Sequence, residues 1–199
     1  MTTWAEHQEW ERQWWGACTN TFAEEAKQIT YANRMGLVVV SDPTGCERWP
    51  VYDLGDKSVL DIGCGPVSML LKTETTGEKE ACDPCRYPEW VEQRYAAAGI
   101  DYRQMPGEDV QHTNDFDEVW LYNVLQHTVN AETIARTARQ IAKTVRVFEW
   151  VNVGECMGHP TNLDPFLLDN WYDGRGVIEQ MTGENQCVGT AYYGVFGGA

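Results

Sequence analysis

A single short run constrains this chain more than anything else in it. Ser58 to Pro66 reads SVLDIGCGP, apolar residues closing on Asp61 and opening at once into Gly63 and Gly65. That is the pattern of a buried strand turning into a glycine-rich loop. Beyond Pro66 the chain alternates. Helices are predicted near Val67 to Lys72, from Glu89 to Ala98, from Ala131 to Ala142 and near Pro165 to Trp171. Strands are predicted near Glu80 to Cys82, near Ile100 to Gln104, from Phe116 to Tyr122 and from Val145 to Trp150. Strands alternating with helices imply right-handed crossovers, hence an α/β, doubly wound, mostly parallel sheet with helices on both faces. The end of the chain breaks the alternation. GVIEQM and QCVGTAYYGVF flank the turn-like Thr182-Gly183-Glu184-Asn185, which predicts a C-terminal antiparallel hairpin.

Ahead of this core the pattern is helical from Thr3 to Met35, with a break at Gly16 and a C-terminal cap at Gly36. The stretch VVVSDPTGCERWP that comes next is turn-rich and reads as irregular. Residues 1–56 are therefore expected to form a helical N-terminal cap, and residues 57–199 the α/β domain. The crowded Trp4, Trp10, Trp14 and Trp15, with Tyr31, have two readings: a lid that excludes water, or the core of an amphipathic helix pair. At 199 residues there is no room for a second full domain.

Charge narrows the partners. Lys and Arg number 15 against 30 Asp and Glu, a formal charge of −15, which repels a phosphate backbone. Nucleic acid is a poor default partner. The odd count of 7 cysteines, and an N-terminus without the basic and apolar regions of a signal peptide, point to reduced thiols in the cytoplasm. No apolar run approaches the roughly 20 residues of a membrane helix, so no membrane role is expected.

In a doubly wound sheet, ligands bind beyond the C-terminal ends of the strands where strand order reverses. Gly63 and Gly65 allow a tight turn and close approach of a ligand to backbone. Asp83, at the end of the next strand, is placed to accept hydrogen bonds from both hydroxyls of a ribose. Two nucleoside cofactors suit such a loop, a dinucleotide and S-adenosylmethionine. Asp61 directly before the loop disfavours a pyrophosphate and suits an ammonium and a sulfonium. Ser68 stands where a dinucleotide fingerprint wants Gly or Ala.

These residues resemble the class I S-adenosylmethionine-dependent methyltransferases, a Rossmann-like family. VLDIGCGP is similar to their first motif, ACDP to the acidic second, PGED to the adenine-binding third and FDEVWLYNVLQHT to the fourth. The resemblance covers Ser58 to about Asn162 and implies a seven-stranded sheet with S-adenosylmethionine as cofactor. Carried over residue by residue, it puts Asp61, Gly63, Cys64 and Gly65 around the methionyl moiety, and Asp83 with Pro84 at the ribose. Gly107, Glu108 and Asp109 would hold the adenine, one of the two acids accepting from its amino group. Asn123 and Val124 would line the other side. Val67 stands where the family often has a third glycine.

Two histidines are candidates for removing a proton from an acceptor. His127 follows the fourth strand closely, within a helical turn of Asn123, and His159 lies in GECMGHPTNLD after the fifth. Either can instead hold a loop, because a sulfonium already activates its methyl carbon and alignment alone can carry much of the rate. The Cys82–Cys85 pair lacks the second CxxC of a zinc site, and no metal is expected. From Glu149 to Ala199 the single Lys or Arg is Arg175, so a polyanionic acceptor would find few partners there. The expected activity is methyl transfer to an oxygen or nitrogen of a small molecule. The rivals are a catalytically silent S-adenosylmethionine-binding partner protein and a nicotinamide oxidoreductase. Oligomeric state is not indicated.

Overall fold

The computed structural model describes residues 3–41, 49–111 and 116–198. Helix α1 (Trp4–Trp15) starts at a capping box in which Thr3 and Glu6 satisfy each other's backbone amides. Helix α2 (Cys18–Arg34) follows, then strands β1 (Val38–Ser41), β2 (Val51–Gly55) and β3 (Val59–Ile62). Next come β4 (Thr73–Thr75), β5 (Lys79–Asp83), α3 (Glu89–Ala97), β6 (Ile100–Gln104) and β7 (Phe116–Tyr122). Helix α4 (Ala131–Ile141), β8 (Ala142–Trp150), α5 (Pro165–Tyr172), β9 (Val177–Thr182) and β10 (Val188–Gly197) complete the described chain.

Seven strands form the main sheet in the order β6-β5-β3-β7-β8-β10-β9. The first five are mutually parallel, and β10 runs antiparallel between β8 and β9. The doubly wound sheet with its closing hairpin is thus as the sequence predicts. Strand order reverses between β3 and β7, which fixes where a ligand crevice must open.

Both faces are covered. Val59, Trp120, Phe148 and Trp150 pack against Tyr31 and Ala32 of α2, Met35 just after it, and Val91 and Tyr95 of α3. On the other face Leu60, Val119, Val145 and Val147 meet α4 and α5. Helix α4 presents Ala131, Ile134, Ala135, Ala138 and Ile141 at helical spacing, so its apolar stripe is continuous.

Three local expectations give way. Val67 to Lys72 is not a helix: only a 3-10 turn forms over Met69–Lys72. Ser68 is extended, donating its backbone N–H to the Tyr95 hydroxyl and its own hydroxyl proton to Asp61. Those bonds compete with helix formation, as serine side chains commonly do. The chain then extends into β4, which pairs in parallel with β2. Val38 to Ser41, expected to be irregular, is a strand paired antiparallel with β2. The turn-rich reading of residues 42–48, Cys46 included, lies outside the described residues. Finally, residues 1–56 are not a purely helical cap. Strands β1 and β2 lie within them, and α2 belongs to the core, with its Tyr31 and Ala32, and Met35 just after it, fully buried.

Candidate active site

A cavity of about 410 Å³ opens at the C-terminal ends of the parallel strands, at the reversal between β3 and β7. One wall is the turn after β3, with Gly63 and Gly65, and the end of β5, with Asp83, Pro84 and Cys85. The opposite wall is Asn123, Val124 and His127 after β7, with Trp150 at the end of β8 and His159 beyond it. Helix α1 roofs the space with Trp4, Trp10, Trp14 and Trp15. The four tryptophans are only half-buried, whereas Tyr31 is core. Of the two readings, the core one holds for Tyr31.

Gly63 has a φ of +73°, and a β-carbon there would overlap the Val124 side chain at 1.9 Å. Glycine is what lets the β3 turn pass beneath the β7 turn. Asp83 fixes this turn: its Oδ2 accepts the Gly65 N–H at 3.0 Å, and its Oδ1 accepts the Cys85 N–H at 2.8 Å and the Tyr87 hydroxyl at 3.1 Å. Burial pushes the Asp83 carboxyl above the usual carboxylate range, against these three donors.

Asp61 is fully buried and is not among the residues that line the cavity. Its Oδ2 accepts from Ser68 at 2.5 Å and from the Tyr122 hydroxyl, while Oδ1 has no partner. Burial raises it to about 7 despite those two hydroxyls, and the charge of Asp83 adds to the rise. Cys64 is also buried away from the cavity, its thiol turned to the Gly65 carbonyl. Gly107, Glu108 and Asp109 are not brought to the cavity either. Gly107 is wedged against Ile62 and Ile134, which leaves Asp109 exposed beside a separate 190 Å³ depression with Arg103 and Phe116.

Asn123 and His127 do not share a helix face. Asn123 sits at a φ of +54° and the next residues form a 3-10 turn over Leu125–His127. Both nevertheless reach the cavity. Three acids that no sequence motif singles out hold this side together. Glu24 of α2 accepts from the Asn123 amide at 3.1 Å and pairs with Lys27 at 3.3 Å. Glu149, fully buried in β8, accepts the backbone N–H groups of Val124 at 3.1 Å and Leu125 at 3.0 Å. Burial lifts it to about 7 against those amides. Glu11 of α1 places Oε1 2.7 Å from His127 Nδ1.

His127 Nδ1 also lies 2.8 Å from the Gly158 carbonyl, and the Gly158 N–H donates to His7 Nδ1 at 3.1 Å. The turn around Gly158 (φ +84°) lies so close to the Trp10 ring that a β-carbon would come within 2.4 Å of it. The two histidines differ in basicity. Burial lowers His127, but Glu11, Glu149 and the Gly158 carbonyl outweigh it and the net shift is upward. His159, edge-on to His127 with ring centroids 4.7 Å apart, is lowered to about 4 by burial and by the charge of His127. Its Nδ1 is buried without a partner.

Residues 60–146 match the family model described as a methyltransferase domain. No curated protein matches the chain. Among solved structures it is similar to the magnesium protoporphyrin IX methyltransferase of Synechocystis with bound S-adenosylhomocysteine. That likeness has a TM-score of 0.59 at 8% identity and covers 92% of this chain and 88% of that one. It is also similar to an N-methyltransferase of Bradyrhizobium japonicum in complex with S-adenosylhomocysteine (TM-score 0.54, 11% identity, 72% of this chain and 79% of that one). A third likeness is to the 1,6-didemethyltoxoflavin-N1-methyltransferase of Burkholderia thailandensis (TM-score 0.53, 14% identity, 72% of each chain). At such identities the structural likenesses speak for fold. With the domain match beside them, residues 60–146 form a methyltransferase domain in a fold shared with S-adenosylmethionine-dependent methyltransferases.

Proposed function

We propose that this enzyme seats S-adenosylmethionine along the wall formed by Gly63, Gly65, Asp83 and Pro84, and methylates an oxygen or nitrogen of a small molecule held near His127. The carrying observation is that one cavity is bounded by the β3 and β5 turns on one side and by Asn123, His127 and His159 on the other. Its lining suits a cation: Glu24 and Asp83 face it, and the one lysine among the described lining residues, Lys27, is already paired with Glu24. The bound cofactor supplies an electrophilic methyl, which passes to the acceptor atom's lone pair while the sulfur keeps the electrons of the broken bond and the acceptor releases a proton.

In this reading residues 57–199 are the catalytic domain and residues 1–56 supply a roof and part of the core. Asp83 accepts from a ribose hydroxyl through the one lone pair its three internal donors leave free. Asp61 acts beneath the turn, holding Ser68 and Tyr122. The tryptophans of α1 exclude water and offer flat faces to the adenine or the acceptor. The described cysteines are free, which suits work in a reducing cytoplasm. No helix among the described residues is long and apolar enough to cross a membrane, and no cluster of three or more metal-ligating side chains occurs among them.

Calorimetric titration with S-adenosylhomocysteine tests the seating. The wild-type protein is expected to bind it and to ignore NADH. Asp83→Ala should weaken it by at least about 1.5 kcal/mol, more than tenfold, the low end for hydrogen bonds to a charged group. Equal affinity in wild type and variant overturns the placement.

A further inference from the structure

Glu11 and His127 belong to elements far apart in the sequence, and their side chains meet in the cavity wall at 2.7 Å. The surroundings of the imidazole select one tautomer. The Gly158 carbonyl, at 2.8 Å, takes the Nδ1 proton, and Glu11 Oε1 lies beside it at 2.7 Å as a buried charge without a hydrogen bond of its own, so Nδ1 carries the proton. On the other side the Gln126 amide nitrogen, which can only donate, lies 3.3 Å from Nε2. Its second proton goes to Asn123 Oδ1 at 2.8 Å. Nε2 is therefore unprotonated, its lone pair facing the Gln126 amide, which has to give way for Nε2 to take a proton.

We propose that Glu11 is a positioning residue of this methyltransferase: beside the Gly158 carbonyl that takes the Nδ1 proton, its charge favours the Nδ1–H tautomer and balances the charge formed when Nε2 takes the acceptor's proton. The inference rests on the proposed function and deepens it in two respects. The base is complete only while α1 is seated, because its carboxylate arrives on that helix together with the tryptophan roof. The acceptor class also narrows, to an atom that carries a proton and must lose it, a hydroxyl or a protonated amine.

Other charges around the imidazole do not replace Glu11. Glu149, from β8, is spent on the amides of Val124 and Leu125. His159, from the loop after β8 and edge-on to His127, is lowered to about 4 and so is neutral when His127 titrates. His7, on α1, faces the Gly158 N–H instead. Asp83, which also lines the cavity and feels the charge of Glu11, is tied to Gly65, Cys85 and Tyr87.

The test reads the imidazole directly. Nitrogen-15 NMR titration of the histidines in the full-length protein, with His127 assigned by its loss in His127→Ala, should show the Nδ1–H tautomer in wild type. In Glu11→Gln the His127 titration should move to lower pH by about one unit, tenfold in proton affinity, with S-adenosylhomocysteine affinity changed less than threefold by calorimetry. Glu11→Asp, which keeps the charge with a shorter reach, should move it by a smaller step, and it serves as the test if Glu11→Gln does not fold. An unchanged His127 titration in both variants overturns the proposal. So does loss of S-adenosylhomocysteine binding with the tautomer intact, which would make Glu11 a cofactor contact. Failure of the wild-type protein to bind S-adenosylhomocysteine would instead sink the proposed function, and the titration would still decide whether Glu11 controls His127.

Discussion

Arg146→Met should lower the stability of the folded chain by about 3 kcal/mol, the lower end for breaking a buried ion pair from one side. Arg146 reaches Glu118 with Nε at 2.7 Å and Nη2 at 2.9 Å, and the Glu118 side chain is 3% exposed. Its third bond runs from Nη1 to the Met35 carbonyl at 2.5 Å, just past the end of α2. One side chain thus joins β8 to β7 and ties α2 to the sheet. Burial would raise the Glu118 carboxyl, but Arg146, Lys57 and the Trp120 N–H outweigh it and hold it at about 2. Lys57 and Trp120 would remain to Glu118 in the variant, which is why the lower figure is expected. Urea denaturation of wild type and variant measures the difference. A loss below about 1 kcal/mol, the scale of exposed pairs, would mean that α2 is not held in the core by this link.

The other large effect is catalytic. His127→Ala should reduce kcat at least about 100-fold, since a general base typically contributes that much or more. S-adenosylhomocysteine affinity should stay nearly constant. The sign of the pH dependence comes from the upward shift of His127. The imidazole must be neutral to accept a proton, so wild-type activity falls as pH drops through its raised pKa, and that lower limb should vanish in the variant. His159→Ala should leave the limb in place, because a group lowered to about 4 is already neutral at working pH. Normal turnover of His127→Ala would leave methyl transfer to alignment alone. Joint loss of binding and turnover would make His127 a structural residue.

The sheet is legible in the sequence because its strands are short apolar runs punctuated by glycine and acid, and the hairpin because Thr182 to Asn185 interrupts two such runs. Residues 67–72 mislead because their apolar content suits a helix, while the serine that spends its bonds on Asp61, Leu70 and Tyr95 reveals itself only in three dimensions. Strands β1, β2 and β4 are hidden for a similar reason. A small sheet assembled from pieces on both sides of β3 leaves no periodic signature. Within the site, the glycine turn, Asp83 and the two histidines carry local signals. Glu11, Glu24 and Glu149 act through partners far away in sequence, so no spacing announces them. Two signals are nevertheless present. Glu11 lies one helical turn from His7 on a helix crowded with tryptophan, and Glu149 interrupts the otherwise apolar VFEWV run that ends β8. A lone acid in a buried strand must find donors, and it finds them in the turn that carries His127.

The most direct measurement tracks the methyl group itself. Wild-type protein would be incubated with S-adenosylmethionine labelled on the methyl carbon and with a cell extract, and the products separated into small-molecule, protein and nucleic-acid fractions. The expected result is label in the small-molecule fraction, dependent on enzyme and strongly reduced by His127→Ala. Label confined to protein or nucleic acid would contradict the assignment of a small acceptor, and no enzyme-dependent transfer to any fraction would contradict methyl transfer itself.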